Sequence, residues 1–282
     1  MNGHIILKLN SASMKKYFLF TALLIFLIAC HDTDKKNNQS YDKSLYPKNV
    51  IDLYQQIKQK PDSIGLRLLL VDALDSLNNP FAIREALLQM DSLTKKDSLN
   101  YGLWYRKAKL NENAKDTNAA IVCYNKAIHV YPSPDALLSL ANLFAETKNK
   151  KALELCNQVD ELKMGRAYNA HTNFIQGVYY ARTGNKNAAT QFFDACINND
   201  YTYMVAYLEK GFILFDDKKY TEALKVFETA SQVNNVYADA YYWQAKCNEA
   251  LNDKKNALIN YNNALALDKN LKEAADAIDR LK

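Results

Sequence analysis

The amino-acid sequence predicts an all-α fold, a solenoid of about six helix pairs with a capping helix at each end. Only 7 glycines and 5 prolines occur in 282 residues, too few for a turn-dense β-sandwich or a glycine-rich nucleotide fold. With 49% apolar and 24% charged residues, the composition is that of a globular protein rather than a disordered one. The third observation is a residue pattern that recurs about every 34 positions between residues 63 and 271, which is typical of stacked helical units.

Residues 1–29 are expected to be a signal peptide. From Met14 the chain has two lysines, then an apolar run from Tyr17 to Ala29, and then Cys30, which is the order of such a signal. These 13 apolar residues would reach only about 20 Å as a helix, against roughly 30 Å for a bilayer's hydrocarbon core, so a permanent spanning helix is disfavoured. Because Met14 begins a better signal than Met1, we hypothesise that Met14 is the true start.

The end of this segment resembles a bacterial lipobox, since Leu27, Ile28 and Ala29 precede Cys30. The resemblance implies cleavage before Cys30, which would carry the lipid and become the mature N-terminus. It also implies a protein of the bacterial cell envelope that is anchored to a membrane, with the outer membrane favoured and the periplasmic or surface face left open. An ordinary secreted protein with an incidental cysteine is the alternative.

Residues 30–48 are expected to form the lipidated N-terminus and a flexible tether. The stretch 31–44 is polar, so it cannot bury a core, and as a random coil the tether would span about 25 Å. Asp32 and Asp34 resemble the acidic residues of surface-export signals in Bacteroidetes lipoproteins, although a solvated linker is the favoured explanation. Loss of residues 1–29 removes three lysines and leaves 33 basic against 31 acidic residues. A body so close to neutral is not expected to bind nucleic acid.

The remaining sequence divides into a leading helix over 49–62, six repeat units over 63–271 and a C-terminal capping helix over 272–282. The six units are expected to start near residues 63, 101, 133, 170, 204 and 238. In the clearest copies a large residue is followed four positions later by a small one, and an alanine–aromatic–alanine stripe comes next. The four-residue step keeps both residues on one helix face, where the small residue lets the second helix approach and the ring of the large residue fills the flanking space. These residues are Tyr207, Gly211, Ala223, Phe227 and Ala230, which recur as Tyr241, Ala245, Ala257, Tyr261 and Ala264.

These positions resemble the tetratricopeptide repeat (TPR), although the family's closing proline survives only as Pro132. The resemblance implies a right-handed α-solenoid with a concave inner face, formed by the first helix of each unit. It also implies which side chains line that groove. The predicted groove residues are Leu137, Phe144, Phe174, Val178, Leu208, Phe212 and Phe215, with Tyr105 and Tyr242 at the polar ends. Packing against neighbouring helices is an equally good explanation of the apolar members, because helical spacing alone does not separate core from groove.

No catalytic or metal-binding pattern emerges from the sequence. Four cysteines, Cys123, Cys156, Cys196 and Cys247, lack a C-x-x-C pair or zinc spacing and are expected to be small buried side chains. No two histidines have metal-ligand spacing on a helix, and no nucleophile or phosphate motif occurs. The sequence therefore predicts no enzyme, no metal and no cofactor.

The leading functional hypothesis is a lipid-anchored, non-catalytic adaptor that binds another protein or peptide of the cell envelope through its concave face. Its layout is similar to that of small repeat lipoproteins that serve pilus assembly, outer-membrane assembly or cell-wall hydrolases. One alternative is a glycan-binding lipoprotein that uses exposed members of its 19 tyrosines. The other is a structural spacer whose groove is filled by its own segment 41–48. The sequence leaves the oligomeric state open.

Overall fold

The computed structural model describes residues 45–282, and all the regular secondary structure of this part is helical. The predicted signal peptide, the lipidation site Cys30 and most of the tether lie outside the described residues. The helices are α1 Lys48–Gln59, α2 Ile64–Asp75, α3 Pro80–Lys96, α4 Tyr101–Asn113, α5 Thr117–Val130, α6 Pro134–Glu146, α7 Lys151–Glu161, α8 Arg166–Thr183, α9 Lys186–Asn199, α10 Met204–Asp216, α11 Tyr220–Val233, α12 Ala238–Ala250, α13 Lys254–Leu267 and α14 Lys272–Leu281.

The helices pack in the order of the chain. From α2 to α13 they form six pairs whose two members pack on each other, and each pair also packs on the next, while α1 covers α2 and α14 covers α13. The predicted all-α solenoid of helix pairs with terminal capping helices is confirmed. A chain built this way relies on contacts between neighbouring units, so the end helices must shield the first and last pairs from water.

Short turns between the two helices of a unit explain why the helices end where they do. One to three residues after the end of each first helix, a residue adopts a left-handed backbone that reverses the chain. An Asp or Asn next to it then caps the second helix in most units. The left-handed positions in these turns are Asn78, Lys115, Lys148, Gly184, Lys218 and Asn252. In four units the cap accepts a backbone N–H three residues later; these caps are Asn79, Asp116, Asn185 and Asp253.

Two kinds of contact hold the helices of a pair together. In the fourth and fifth units a glycine of the first helix lies directly against a buried ring, Gly177 against Phe193 and Gly211 against Phe227. In the second and sixth units the ring is a tyrosine, and its hydroxyl donates a hydrogen bond to a glutamate of the first helix. Tyr261 donates to Glu249 over 2.9 Å, and Tyr124 donates to Glu112.

The core is a run of small and aromatic side chains between the paired helices. Its largest fully buried members include Tyr124, Phe193, Phe227 and Tyr261, which hold the same position in four different units. The four cysteines at positions 123, 156, 196 and 247 are buried and free, as the sequence predicts. Burial raises the pKa of the Cys247 thiol to about 12.

No helix among residues 45–282 has both the length and the apolar character needed to cross a bilayer.

Candidate protein-binding face

The structure buries five of the nine predicted groove residues: Leu137, Phe144, Phe174, Val178 and Leu208. Their side chains are between 0% and 7% exposed, so a partner could not touch more than their edges. The first four belong to one core cluster, which forms because α8 packs against α6 as well as α7. The prediction is therefore wrong for these five residues, and the packing explanation is right.

The other four predicted residues remain partly exposed, and they fall into two separate surfaces. Tyr105 lies on α4, near the N-terminal end of the repeats. Phe212 and Phe215 lie on α10 and Tyr242 on α12, in the last two units. The buried stretch on α6 and α8 separates the two surfaces, so the structure offers two exposed patches in place of one continuous apolar floor.

Trp243 completes the second surface, which we call the C-terminal aromatic face: Phe212, Phe215, Tyr242 and Trp243. The Trp243 ring centroid lies 4.5 Å from that of Phe212, 5.4 Å from Phe215 and 5.8 Å from Tyr242. Its Nε1 atom is buried and has no hydrogen-bond partner among residues 45–282. The indole therefore acts as a wedge between α10 and α12, holding the two phenylalanines at the surface.

Sequence reasoning missed Trp243, although a signal for it was present. Trp243 is one of 2 tryptophans in the chain, and it lies two residues after the repeat's large packing residue Tyr241. Two residues on, a helix has turned by about 200°, so Trp243 faces away from its own unit's second helix. That offset points it at the preceding unit, where it meets Phe212 and Phe215.

The surface around Tyr105 is chemically different. Tyr105 stacks on Tyr101 with ring centroids 5.7 Å apart and meets Tyr124 edge-on at 5.7 Å. The Lys109 ammonium lies 5.9 Å from the Tyr105 ring centroid and 3.3 Å from a carboxylate oxygen of Glu112. Because the lysine and the glutamate already satisfy each other, this patch offers mainly tyrosine edges to a partner.

A network of charged side chains lies between the two surfaces. The Arg182 guanidinium of α8 donates to Glu146 of α6 at 2.9 and 3.1 Å, and to Glu209 of α10 at 3.0 and 2.9 Å. Burial lowers the pKa of Arg182, but its hydrogen bonds to Glu209 and Glu146 outweigh this and raise it overall. The network ties the first helices of three successive units together, and only 5% of Glu209 is exposed.

Several tyrosines serve the fold rather than a ligand. The Tyr207 hydroxyl donates a hydrogen bond to the backbone carbonyl of Tyr201, and the Tyr241 hydroxyl donates one to that of Asn235. Both bonds hold the turn before the helix in place. The Nε1 atom of Trp104 likewise donates a hydrogen bond to the backbone carbonyl of Ser98.

Among residues 45–282, no group of three or more His, Cys, Asp or Glu side chains is placed to hold a metal ion.

Comparison with protein-family models places tetratricopeptide repeats at residues 101–134 and 208–271. These segments contain the two surfaces, the second and sixth helix pairs and most of the fifth. These two segments are tetratricopeptide repeats. No curated protein matches its sequence.

Solved structures agree on the fold. A tetratricopeptide repeat protein from Parabacteroides merdae is 16% identical with a TM-score of 0.66, and the match covers 82% of this chain and 90% of that one. PilW, a widely conserved type IV pilus biogenesis factor, is 14% identical with a TM-score of 0.60, over 77% of this chain and 100% of its own. A chain of the APC/C hetero-tetramer Cut9–Hcn1 is 14% identical with a TM-score of 0.54, and the match covers 82% of this chain and 52% of that one.

Proposed function

We propose that this protein is a lipid-anchored, non-catalytic adaptor of the bacterial cell envelope that binds another protein through the groove side of its repeats. The observation that carries the proposal is the C-terminal aromatic face. Its members Phe212, Phe215 and Tyr242 are only partly covered, and they occupy positions that the repeat pattern assigns to the groove. Partly exposed aromatic side chains beside a rigid helical surface are the usual anchors of protein recognition.

The repeat architecture supports an adaptor over an enzyme. Stacked helix pairs present an extended surface on rigid elements, and TPR proteins are typically non-catalytic adaptors. In the similar Cut9–Hcn1 structure, the fold belongs to a protein that assembles with another protein. Among residues 45–282, the four thiols are buried, and Arg182 is engaged by Glu209 and Glu146.

Site-specific photo-crosslinking tests the binding face with little disturbance to packing. A benzoyl-phenylalanine at position 215 or 242 keeps an aromatic ring where Phe215 or Tyr242 stands. Val122, which is 58% exposed on the second helix α5, is the matched control position. In cells of the native host we expect positions 215 and 242 to yield the same adduct and position 122 to yield none. Identical adducts at all three positions, or none at 215 and 242, would contradict the proposed face.

Lipid anchoring is tested separately through Cys30. The proposal expects the wild-type protein to fractionate with membranes and its N-terminal peptide to carry a lipid mass on Cys30. A Cys30→Ser variant should lose both properties while its helical content stays the same. Wild-type protein that stays with the soluble fraction would refute the anchor without affecting the binding face.

A further inference from the structure

Four turns join successive repeat units along one edge of the solenoid: residues 97–100, 131–133, 162–165 and 200–203. Each turn leads from the second helix of one unit into the first helix of the next. Side chains at the start of these first helices contact the neighbouring turn or the neighbouring helix start, so the four turns lie side by side. The contacts are those of Tyr101 with Tyr131, whose ring centroids are 5.7 Å apart, of Tyr168 with Asp135 at 3.4 Å, and of His171 with Tyr203 at 3.1 Å.

Every one of these four turns exposes at least one large apolar side chain. We call this set, whose members are between 46% and 80% exposed, the apolar edge: Leu99, Tyr131, Leu162, Met164 and Tyr201. The four turns contain three charged residues, and two of these are hydrogen-bonded within their own turn. Asp97 accepts from the side-chain amide of Asn100 at 3.0 Å, and Asp200 accepts from the backbone N–H of Thr202 at 2.9 Å. Lys163 is the third, so little charge at this edge opposes its removal from water.

The opposite edge, where the two helices of a unit are joined, has the contrary chemistry. Its turns in the second to fifth units are residues 114–116, 147–150, 184–185 and 217–219, and none of these residues is an exposed large apolar one. The charged residues of these turns are Lys115, Asp116, Lys148, Lys150, Asp217, Lys218 and Lys219. A single exposed apolar residue is normal on a protein surface. One in every turn of one edge, and none in the four opposite turns, indicates that the two edges face different surroundings.

A lipid bilayer suits the apolar edge better than a protein partner does. Successive units stack about 10 Å apart, so polar turn residues separate the apolar side chains, whereas a protein interface has a contiguous apolar centre. The bilayer interface accommodates both kinds of group, because headgroups hydrate the polar residues while leucine, methionine and tyrosine side chains enter the acyl boundary. Residues 30–44 separate Cys30 from the described chain and reach at most about 50 Å when extended, so a lipid on Cys30 would keep the edge near a bilayer.

We propose that the apolar edge rests on the membrane surface, with its leucine, methionine and tyrosine side chains inserted at the level of the headgroups. This inference rests on the proposed membrane anchoring and adds which side of the protein faces the bilayer. The repeat helices then run away from the membrane, and the charged opposite edge points into water. Because only turns touch the bilayer, the C-terminal aromatic face along α10 and α12 stays open to a partner protein.

Fluorescent probes on introduced cysteines test the inference. The four native cysteines among residues 45–282 are buried, so a thiol-reactive NBD dye labels the introduced residue in the native protein. The chain from residue 30 is held on phosphatidylcholine vesicles by its own lipid, or by an N-terminal hexahistidine tag on nickel-chelating lipid in a Cys30→Ser chain. The labelled variants are Leu99→Cys, Tyr131→Cys and Tyr201→Cys on the apolar edge, and Lys150→Cys and Lys219→Cys on the opposite edge. We expect nitroxide-labelled lipid to quench the probes of the apolar edge about three times more strongly than those of the opposite edge.

Two charges placed on the apolar edge should lift it from the vesicle. Leu99→Asp/Tyr201→Asp is expected to lower the quenching of a probe at position 131 to the level of the opposite edge. Circular dichroism should stay unchanged, because both replaced side chains are exposed. The matched control Asn149→Asp/Asn187→Asp adds the same charges to two exposed positions at the opposite edge and should leave the quenching at position 131 unchanged.

Equal quenching at both edges, or stronger quenching at positions 150 and 219, would overturn the inference. A probe at position 131 that shifts to the blue with protein density but is not quenched by the lipid would also overturn it, since the occupant is then a second copy of the chain. If Cys30 carries no lipid and the tagged chain still shows quenching at the apolar edge alone, the anchor of the proposed function fails and the affinity of this edge for the bilayer stands.

Discussion

Replacing Gly177 by alanine should destabilise the protein, which is the opposite of what helix propensity predicts. Gly177 lies inside α8, where alanine is favoured over glycine by about 1 kcal/mol. A Cβ atom built on Gly177 would lie 2.6 Å from Cε1 and 2.7 Å from Cδ1 of Phe193. Carbon atoms in contact normally lie about 3.5–4.0 Å apart, so the ring would have to move by about 1 Å.

The Phe193 ring has little room for that movement, because it is fully buried and packs against Phe174 with centroids 5.9 Å apart. Overpacking of this kind costs about 1–3 kcal/mol. With the cost near its upper limit and the propensity gain subtracted, we expect Gly177→Ala to lower the free energy of unfolding by about 2 kcal/mol. Gly211→Ala should behave in the same way against Phe227.

Urea unfolding followed by circular dichroism measures the effect, with Gly65→Ala as the control. Gly65 lies on α2, and no atom lies within 4 Å of the Cβ that alanine would add. That variant should be stabilised by about 0.5 kcal/mol, because alanine restricts the unfolded chain. A Gly177→Ala/Phe193→Leu variant should lose less than the two single changes together, since the smaller side chain frees space. If the Gly177→Ala variant had the same free energy of unfolding as the Gly65→Ala variant, the reasoning would be refuted.

Three further outcomes are expected. Tyr261→Phe should lower the free energy of unfolding by about 1 kcal/mol in urea titration, since it removes the hydrogen bond to Glu249, and an unchanged midpoint would contradict this. Hydrogen bonds from Arg280 lower the pKa of Glu249. Ionised Glu249 therefore stabilises the fold above the ordinary pKa of a glutamate, and this contribution is lost as the pH falls through the lowered pKa. Arg280→Gln should make stability fall less steeply in acid, which urea unfolding at a series of pH values measures. The Cys247 thiol, with its pKa raised to about 12, should stay unreactive to a thiol reagent at pH 8 until urea is added, and rapid labelling of the native protein would count against its burial.

The repeat pattern predicted the helix pairs because its signal is local. A large and a small residue four positions apart must share a helix face, so the close approach of the second helix to Gly211 could be predicted from the sequence, whereas the structure identifies the contacting ring as Phe227. The groove was harder to predict. Phe144 and Phe215 hold the same position in their units, but one is buried and the other is partly exposed. The difference comes from α8 packing on α6, a contact between units that helical periodicity does not encode.

The second and sixth units carry a tyrosine–glutamate pair, whereas the fourth and fifth carry a glycine–phenylalanine pair, so the units are not interchangeable in how their helices pair. Repeat chains can misfold when one unit's first helix pairs with the second helix of another. If α13 docked on α10, the Tyr261 hydroxyl would be buried opposite Phe215, without the carboxylate that it meets on α12. A buried hydroxyl without a partner costs about 1–3 kcal/mol. The hydrogen bond between Tyr261 and Glu249 therefore disfavours a slip of α13 by one repeat while the array is still assembling.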